Sequence, residues 1–350
     1  MKAVIYEGTR KVRVENVPAP KLLADTDAIV RVTAASICGT DIRLYWGTMT
    51  NVMPMIDGDP LGHECVGVIE EVGKAVTGLK VGQRVVSPFS VHCGTCYYCE
   101  HDVLTRCESM QIFGVGKGFG APLGGCQSEY VRVPAAERTL LKLDERVSDE
   151  HATVLPDVLT GVFAGMECLR GGETVAVTGC GPTGLAAVMC ARLLGAGPIF
   201  AIDHHEDRLA IAAGLGAIPI NFDQVAPRDV LRAHTGGRGV DVIADTVGKI
   251  GSVNAALPLV RPYGTMILLG YIDPSETLPI GVASLNHVQI RSALVPAIRR
   301  YQPRVMQLIA DGRLDPTPLL SHVLPLDQAA RAYDMMSERR DGAIKIVLKP

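Results

Sequence analysis

The chain has 350 residues, a formal net charge of −3, 47% apolar residues and 20% charged ones. That length suits about two domains, and the composition allows a sizeable buried core and excludes a disordered chain. No basic face shows in the charge balance, which argues against nucleic acid as a partner, and no run of roughly 18 uninterrupted apolar residues offers a membrane span.

The N-terminal stretch MKAVIYEGTRKVRVENVPAP alternates like strand–turn–strand and lacks the apolar run of a signal peptide, so a cytoplasmic chain is expected. Up to about residue 155 the sequence stays strand-rich, with Gly and Pro punctuation and few helical periods. Within it, ASICGTDIRLYWG carries Cys38, and PLGHECVGVIEEVG carries His63 and Glu64. Taken singly these residues say little. A cysteine in a strand or a histidine after a glycine more often packs in a core than holds an ion.

The stretch HCGTCYYCEHDVLTRC, residues 92–107, says much more. Cys93, Cys96 and Cys99 recur every third residue and Cys107 follows eight residues later. In a reducing compartment such a cluster points to a metal or to catalysis and not to disulfides. Four thiolates around zinc at about 2.3 Å make a closed, structural site with no position left for a substrate. The lobe, about residues 90–110, is therefore expected to be tied down by one structural zinc, with Arg106 partly offsetting its charge. A complete thiolate set leaves His92 and His101 as solvated histidines. Free surface thiols are the competing reading, and the spacing and the Gly94 turn disfavour it.

VLPDVLTG places Asp157 ahead of a helical run, where it also reads as a helix N-cap. Then ETVAVTGCGPTGLAAVMCARLLGA opens on a short apolar strand, Thr174 to Thr178, and continues into Gly179-x-Gly181-x-x-Gly184 and a helix. A second strand, PIFAID, ends on Asp203, nineteen residues after Gly184. Strand, glycine turn, helix, strand and acid are the full context of a dinucleotide fingerprint. Gly179 makes the tight turn, Gly181 lets pyrophosphate approach, Gly184 lets helix and strand close, and the helix N-terminus attracts phosphate. Asp203 would accept both ribose hydroxyls of NAD and repel a 2′-phosphate, which favours NAD over NADP. Arg208 is positioned to meet adenine or ribose. AIPINF (217–222), VDVIADTVG (240–248) and GTMILLGY (264–271) read as further parallel strands covered on both faces. The terminal AIKIVLKP reads as a strand returning to the first part. The cofactor domain, 156–296, is then an insertion in a split β-rich domain, 1–155 with 297–350, and the crevice between them is the expected site.

These pieces together carry a resemblance. Cys38-Gly39-Thr40-Asp41, Gly62-His63-Glu64, the four-cysteine lobe, Gly179-Cys180-Gly181-Pro182-Thr183-Gly184 with Asp203 and Arg208, and the closing Lys345 occur in the order found in zinc-dependent medium-chain alcohol dehydrogenases. The resemblance spans essentially the whole chain. It is strongest to the formaldehyde-dehydrogenase-like and polyol-dehydrogenase-like branch, through RVVSPFSVHCGTC and VAVTGCGPTGL. It implies an α/β chain: a GroES-like β-rich catalytic domain with an inserted Rossmann domain of doubly wound parallel sheet. It also implies two zinc ions per chain (one catalytic, one structural), NAD, a small-molecule alcohol or aldehyde substrate, and a homo-oligomer, tetramer before dimer.

By this resemblance Cys38, His63 and Asp157 are ligands of the catalytic zinc, and their charges sum to −2, which neutralises the ion and leaves a fourth position open. Glu64 is an exchangeable ligand or stands just behind the metal. Thr40 supplies the hydroxyl that meets the substrate oxygen. Pro182, Thr183, Leu269, Gly270, Leu294 and Lys345 join the glycines, Asp203 and Arg208 as cofactor contacts. Many relatives carry a histidine five residues after the cysteine as outer base of a proton relay. This chain has Arg43, which cannot take a proton, and which would contact a cofactor phosphate instead. Cys65, Cys126, Cys168, Cys180 and Cys190 read as small packed hydrophobes. Leu44, Trp46, Phe89 and Leu294 read equally as substrate pocket or core. The implied reaction is hydride transfer between an alcohol and NAD. An aldehyde-oxidising or dismutating enzyme, a catalytically inactive NAD- and zinc-binding regulatory protein, and a zinc-binding interaction module built on the lobe are the alternatives.

Overall fold

The computed structural model of the chain describes residues 1–278, 280–294 and 298–350. The chain divides into two compact units, Met1–Asp157 with Ala297–Pro350, and Val158–Pro296. The expected boundary between 296 and 297 lies outside the described residues.

The first unit opens on an antiparallel hairpin of Lys2–Gly8 with Lys11–Asn16. Among the described residues its main sheet runs in the order Leu320–Pro325, Lys345–Lys349, Ala28–Ser36, Cys65–Val72, Arg84–Ser87, Leu141–Lys142, with Tyr130–Val133 also paired to Ala28–Ser36. The run AIVRVTAAS suits the central place. Its Ala28, Val30, Val32 and Ala35 enter a core with Ile69, Val85, Phe113 and Val131, while Arg31 points to solvent. Gly67 on the neighbouring strand is required there, because a Cβ would lie 2.2 Å from the Arg31 carbonyl oxygen. The terminal strand Lys345–Lys349 pairs antiparallel with Ala28–Ser36, Val347 facing Ser36, and the N–H of Ile37 donates to the Ile346 carbonyl. The end of the chain is thereby stitched beside the segment that carries Cys38. The tail also holds two helices, Ile298–Ala310 and Ala329–Glu338, beyond the single strand expected of it.

The second unit is a parallel sheet in the order Ile218–Asn221, Ile199–Asp203, Val175–Thr178, Val240–Asp245, Val260–Leu268, Gln289–Ser292. The order reverses beside Val175–Thr178, which is the switch point of a Rossmann sheet and the place where a dinucleotide's pyrophosphate is held. Val175–Thr178, Ile199–Asp203 and most of Val240–Asp245 are buried, as strands covered on both faces must be. Two differences from expectation have local causes. Val260–Leu268 starts four residues before GTMILLGY, since Pro262, Gly264 and a Tyr263 at φ 59° masked its irregular first half. Gln289–Ser292 was not foreseen, because this edge strand is largely exposed and has no apolar run.

Candidate metal centre and cofactor site

The four lobe cysteines form a compact set. Their sulfurs all lie within 4.8 Å of one another, with Cys93 Sγ and Cys99 Sγ 3.9 Å apart. A tetrahedron with zinc–sulfur bonds of about 2.3 Å has edges of about 3.8 Å, so the set fits that ion. The loop directs backbone N–H groups at sulfur: Cys93 N donates to Cys107 Sγ at 3.3 Å and Thr95 N to Cys93 Sγ at 3.5 Å. Such donors, led by Thr95 and Cys96, bring the Cys93 thiol down to about 6, whereas burial first of all pushes Cys99 up to about 12. Gly94, at φ 77°, makes the turn. The cation the structure brings to this loop is Arg138, whose guanidinium donates to the Cys93 carbonyl.

A second set has no local origin. Cys38 precedes the helix Gly39–Tyr45, His63 and Glu64 precede the strand Cys65–Val72, and Asp157 ends the first stretch of this unit. Ligand atoms of these four residues again lie within 4.8 Å of one another. Cys38 Sγ donates to Asp157 Oδ2 at 3.3 Å, and His63 Nε2 lies 3.7 Å from the same oxygen. Burial, and then the charges of Glu64 and Asp157, push the Cys38 thiol up to about 11. Burial disfavours the His63 cation, yet the charges of Asp41 and Cys38 outweigh it and raise the imidazole well above its ordinary value. A divalent cation bound here would compete with protons for the thiol and the imidazole.

Charged and polar side chains surround this cluster. Lys345 Nζ lies 2.5 Å from Glu64 Oε2, which also accepts from Ser36 Oγ at 2.5 Å, and Lys345 reaches the Ile37 carbonyl at 3.5 Å. Burial works against the ammonium, but the Glu64 carboxylate outweighs it and Lys345 stays charged. Glu64 Oε1 remains buried without a hydrogen-bond partner, and Glu64 is one of the four residues whose ligand atoms converge. Asp41 Oδ2 accepts from Cys38 N at 2.9 Å, and its Oδ1 lies 3.1 Å from His63 Nδ1, out of line for a straight hydrogen bond. Because Lys345 neutralises Glu64, the triad of Cys38, His63 and Asp157 keeps its net −2. The donor set therefore fits zinc with an open position.

In the second unit the glycine turn follows Val175–Thr178. Gly179 has φ 84°, Gly181 caps the helix Pro182–Leu193, and Pro182 opens it. A Cβ on Gly184 would lie 1.7 Å from the Gly179 carbonyl oxygen, so only glycine allows this packing. Thr183 lies in the first turn of the same helix. Asp203 ends its strand with Oδ2 accepting from Cys180 N at 2.6 Å and Oδ1 from His204 N and His205 N at 2.7 and 3.0 Å. Burial opposes its charge, but these three N–H groups and Arg208 hold the carboxyl below its usual range. Asp203, His204 and His205 form a third candidate cation group, but its carboxylate is already taken up by the turn. Leu269 N and Gly270 N donate to the Asp245 carbonyl at 2.8 and 3.0 Å, and a Cβ on Gly270 would meet Gly248 N at 2.3 Å, so two loops close on each other there.

Residues 24–145 match the alcohol dehydrogenase GroES-like domain family, and residues 182–311 the zinc-binding dehydrogenase family. The chain is 36% identical over 384 residues to an uncharacterized zinc-type alcohol dehydrogenase-like protein of Bacillus subtilis, covering 100% of both. It is 34% identical over 366 residues to an alcohol dehydrogenase of Cupriavidus necator, covering 100% of this chain and 99% of that one. Among solved structures, the alcohol dehydrogenase TADH of Thermus sp. ATN1 superimposes with a TM-score of 0.93 at 39% identity, over 100% of this chain and 99% of that chain.

The chain belongs to the zinc-dependent medium-chain alcohol dehydrogenases. It is an oxidoreductase with a GroES-like domain and an inserted Rossmann domain. No helix among the described residues is long and apolar enough to cross a membrane.

Several residues of this dehydrogenase sit differently from expectation. His92 is not solvated: it is 9% exposed, its Nε2 is 3.1 Å from Ser90 Oγ, and burial together with Arg299 brings it down to about 4. His101 is exposed as expected and stacks on Tyr97 at 4.1 Å. Lys345, expected among the cofactor contacts, has its ammonium buried against Glu64. Leu44 is core at 2% exposure, Trp46 donates from Nε1 to Ser337 Oγ at 2.7 Å, Phe89 is half-buried and Leu294 is exposed. Cys65, Cys126, Cys180 and Cys190 are buried, while Cys168 is half-buried. Sequence reasoning missed the part played by Asp41. Its position three residues after Cys38, in the first turn of a helix, was the available signal, since an acid there reaches back to the cap N–H. Ser36, Gln127 and Tyr333, which also pack around this cluster, have no sequence signature.

Proposed function

We propose that the chain oxidises a small primary, secondary or polyol alcohol to the aldehyde or ketone with NAD as hydride acceptor. The observation that carries this is the convergence of Cys38, His63 and Asp157 in a partly buried group whose charges, as thiolate, imidazole and carboxylate, sum to −2. When bound, zinc supplies a Lewis acid that lowers the pKa of an alcohol from about 16 towards 7, and the nicotinamide supplies the hydride acceptor. The chain's own residues do the rest. Cys38, His63 and Asp157 hold the ion, and Asp41 fixes the imidazole so that Nε2 faces the cluster. Glu64 stands behind them, its charge matched by Lys345. Thr40, half-buried at the start of the helix Gly39–Tyr45, offers its hydroxyl to the substrate oxygen. Arg43 is permanently charged, so the released proton leaves by a path that does not end on it. Cys93, Cys96, Cys99 and Cys107 hold a structural zinc that takes no part in the chemistry.

Asp203 supports NAD over NADP, because a buried carboxylate held ionised by three N–H groups repels a 2′-phosphate. Gly181, Pro182 and Thr183 at the helix N-terminus face the phosphates. Arg208 lies over this turn, its Nη1 3.8 Å from the position of a Cβ on Gly181. A homotetramer is the expected assembly, which light scattering at several concentrations tests.

The deciding experiment combines metal analysis with a screen of primary, secondary and polyol alcohols, NAD and NADP compared. Two zinc ions per chain and NAD reduction by at least one class support the proposal. Undiminished alcohol oxidation by folded protein stripped of the ion at Cys38 would overturn it.

A further inference from the structure

A line of buried polar groups leads away from the Cys38 cluster. Gln127 and Tyr333 are both 0% exposed. Tyr333, on the helix Ala329–Glu338, donates its hydroxyl to Gln127 Oε1 at 2.8 Å. The other end of the amide faces two acceptors, Asp41 Oδ2 at 3.2 Å and the Ser36 carbonyl at 3.3 Å, which fixes it as Nε2 and leaves Oε1 to accept from the phenol. The backbone of Gln127 is engaged as well. Its N–H donates to the Leu61 carbonyl at 3.0 Å, the preceding Cys126 N donates to the Gly62 carbonyl at 2.8 Å, and its carbonyl accepts from Val4 N at 2.8 Å. The contact is close: a Cβ on Gly62, which has φ 96°, would lie 2.4 Å from Gln127 Cγ. One residue therefore grips both ligand-bearing segments, Cys38–Asp41 through its side chain and Leu61–His63 through its backbone.

We propose that Gln127, oriented by Tyr333, is a positioning residue of the metal centre: it holds the Asp41 carboxylate in place 3.1 Å from His63 Nδ1, and so sets how tightly this centre, and not the lobe, keeps its ion. This rests on the reading of Cys38, His63 and Asp157 as ligands. The physical reason is that Asp41 is 0% exposed and His63 only 3%, so no water replaces a lost donor. Without Nε2, the Asp41 carboxylate keeps the Cys38 N–H but loses a second donor on Oδ2, and is freer to rotate away from His63. Removing an outer partner of a metal ligand typically weakens metal affinity or activity by 10–100-fold.

Zinc per chain and the chelator-driven release of each ion test this in the wild type, Gln127→Leu and Tyr333→Phe, with thermal unfolding as the check on folding. The visible spectrum of the cobalt-substituted Cys38 centre provides a second readout. Gln127→Leu should lose the buried-centre ion at roughly 10–100-fold lower chelator concentration while the lobe ion leaves as in the wild type. Tyr333→Phe should shift in the same direction by less, since the amide stays but is free to turn. Both variants should move the cobalt bands. Equal weakening of both ions would show a general loss of stability and overturn the proposal, as would unchanged release and spectra in folded variants. If Gln127→Leu does not fold, Tyr333→Phe decides by the same outcomes. A wild type that holds only the lobe ion would instead overturn the ligand reading, and the proposal with it.

Discussion

The two cysteine-bearing clusters of the first unit gather ligands for a cation in opposite ways. The lobe draws four sulfurs from residues 93–107, half of them in one short turn, and manages their charge with backbone N–H groups of the same loop. The other cluster draws on residues 38, 63, 64 and 157, and manages its charge with side chains from 36, 41 and 345. Closing a short loop costs little chain entropy, so the first set forms wherever its spacing is written. The second forms only if the sheet registers bring Ser36, Glu64 and Lys345 together, as the pairings of Cys65 with Ala35 and of Val347 with Ser36 do. The local set is closed and suits a structural role. The distant one, whose three proposed ligands would leave a fourth position on a tetrahedral ion, suits chemistry.

That contrast can be broken by experiment. The largest expected effect is on turnover: Cys38→Ala should lower kcat/KM by on the order of 10³-fold or more and leave one zinc per chain, read by coupled turnover and metal analysis. A variant that keeps its rate would remove the distant cluster from the chemistry. Next is stability. Lys345→Met leaves the buried Glu64 charge unpaired and should cost about 3–5 kcal/mol in denaturant unfolding. Adding Glu64→Gln should recover most of that loss, and no recovery would mean that packing, not charge, is what Lys345 contributes.

Cys107→Ser tests the other side. Losing the lobe ion should remove about 2.7 kcal/mol when zinc stands at a hundred times its Kd, lowering the melting temperature, while turnover per folded molecule stays as in the wild type. A loss of turnover per folded molecule would end the division into structural and chemical clusters. The smallest effect lies outside both. Asp203→Ser should weaken NAD by about tenfold, or roughly 1.4 kcal/mol, and admit NADP, with KM for each cofactor as the readout. An unchanged ratio of the two would show that Asp203 does not choose the cofactor.

Much of this was legible beforehand because it is written locally. The thiol spacing of the lobe and the glycine turn with its acid are runs whose geometry depends on few neighbours. Gly184 bears this out, since the Cβ it lacks would strike the Gly179 carbonyl, five residues earlier in the same turn and helix. Cys38, His63 and Asp157 were legible only as parts of a familiar series, because each alone reads as core. Lys345 was named only through the resemblance, as a cofactor contact; that its ammonium meets Glu64 follows from the register of its strand, which no local pattern shows. His92 was placed in solvent because a complete thiolate set left it no place around the ion, yet the loop folds it inward. Asp41 was quoted in its motif without a role, and Gln127 was not singled out at all.

The sequence by itself therefore determined the two-part α/β architecture, the close-set four-cysteine lobe and the glycine-rich turn, since each follows from short-range spacing and backbone conformation. Only the tertiary structure decided that Asp41 meets His63, that Lys345 neutralises Glu64, and that Gln127 and Tyr333 close the line behind them. Those contacts join residues dozens to hundreds of positions apart, and strand register and the loss of water on burial, neither of which is written in any one segment, give them their strength.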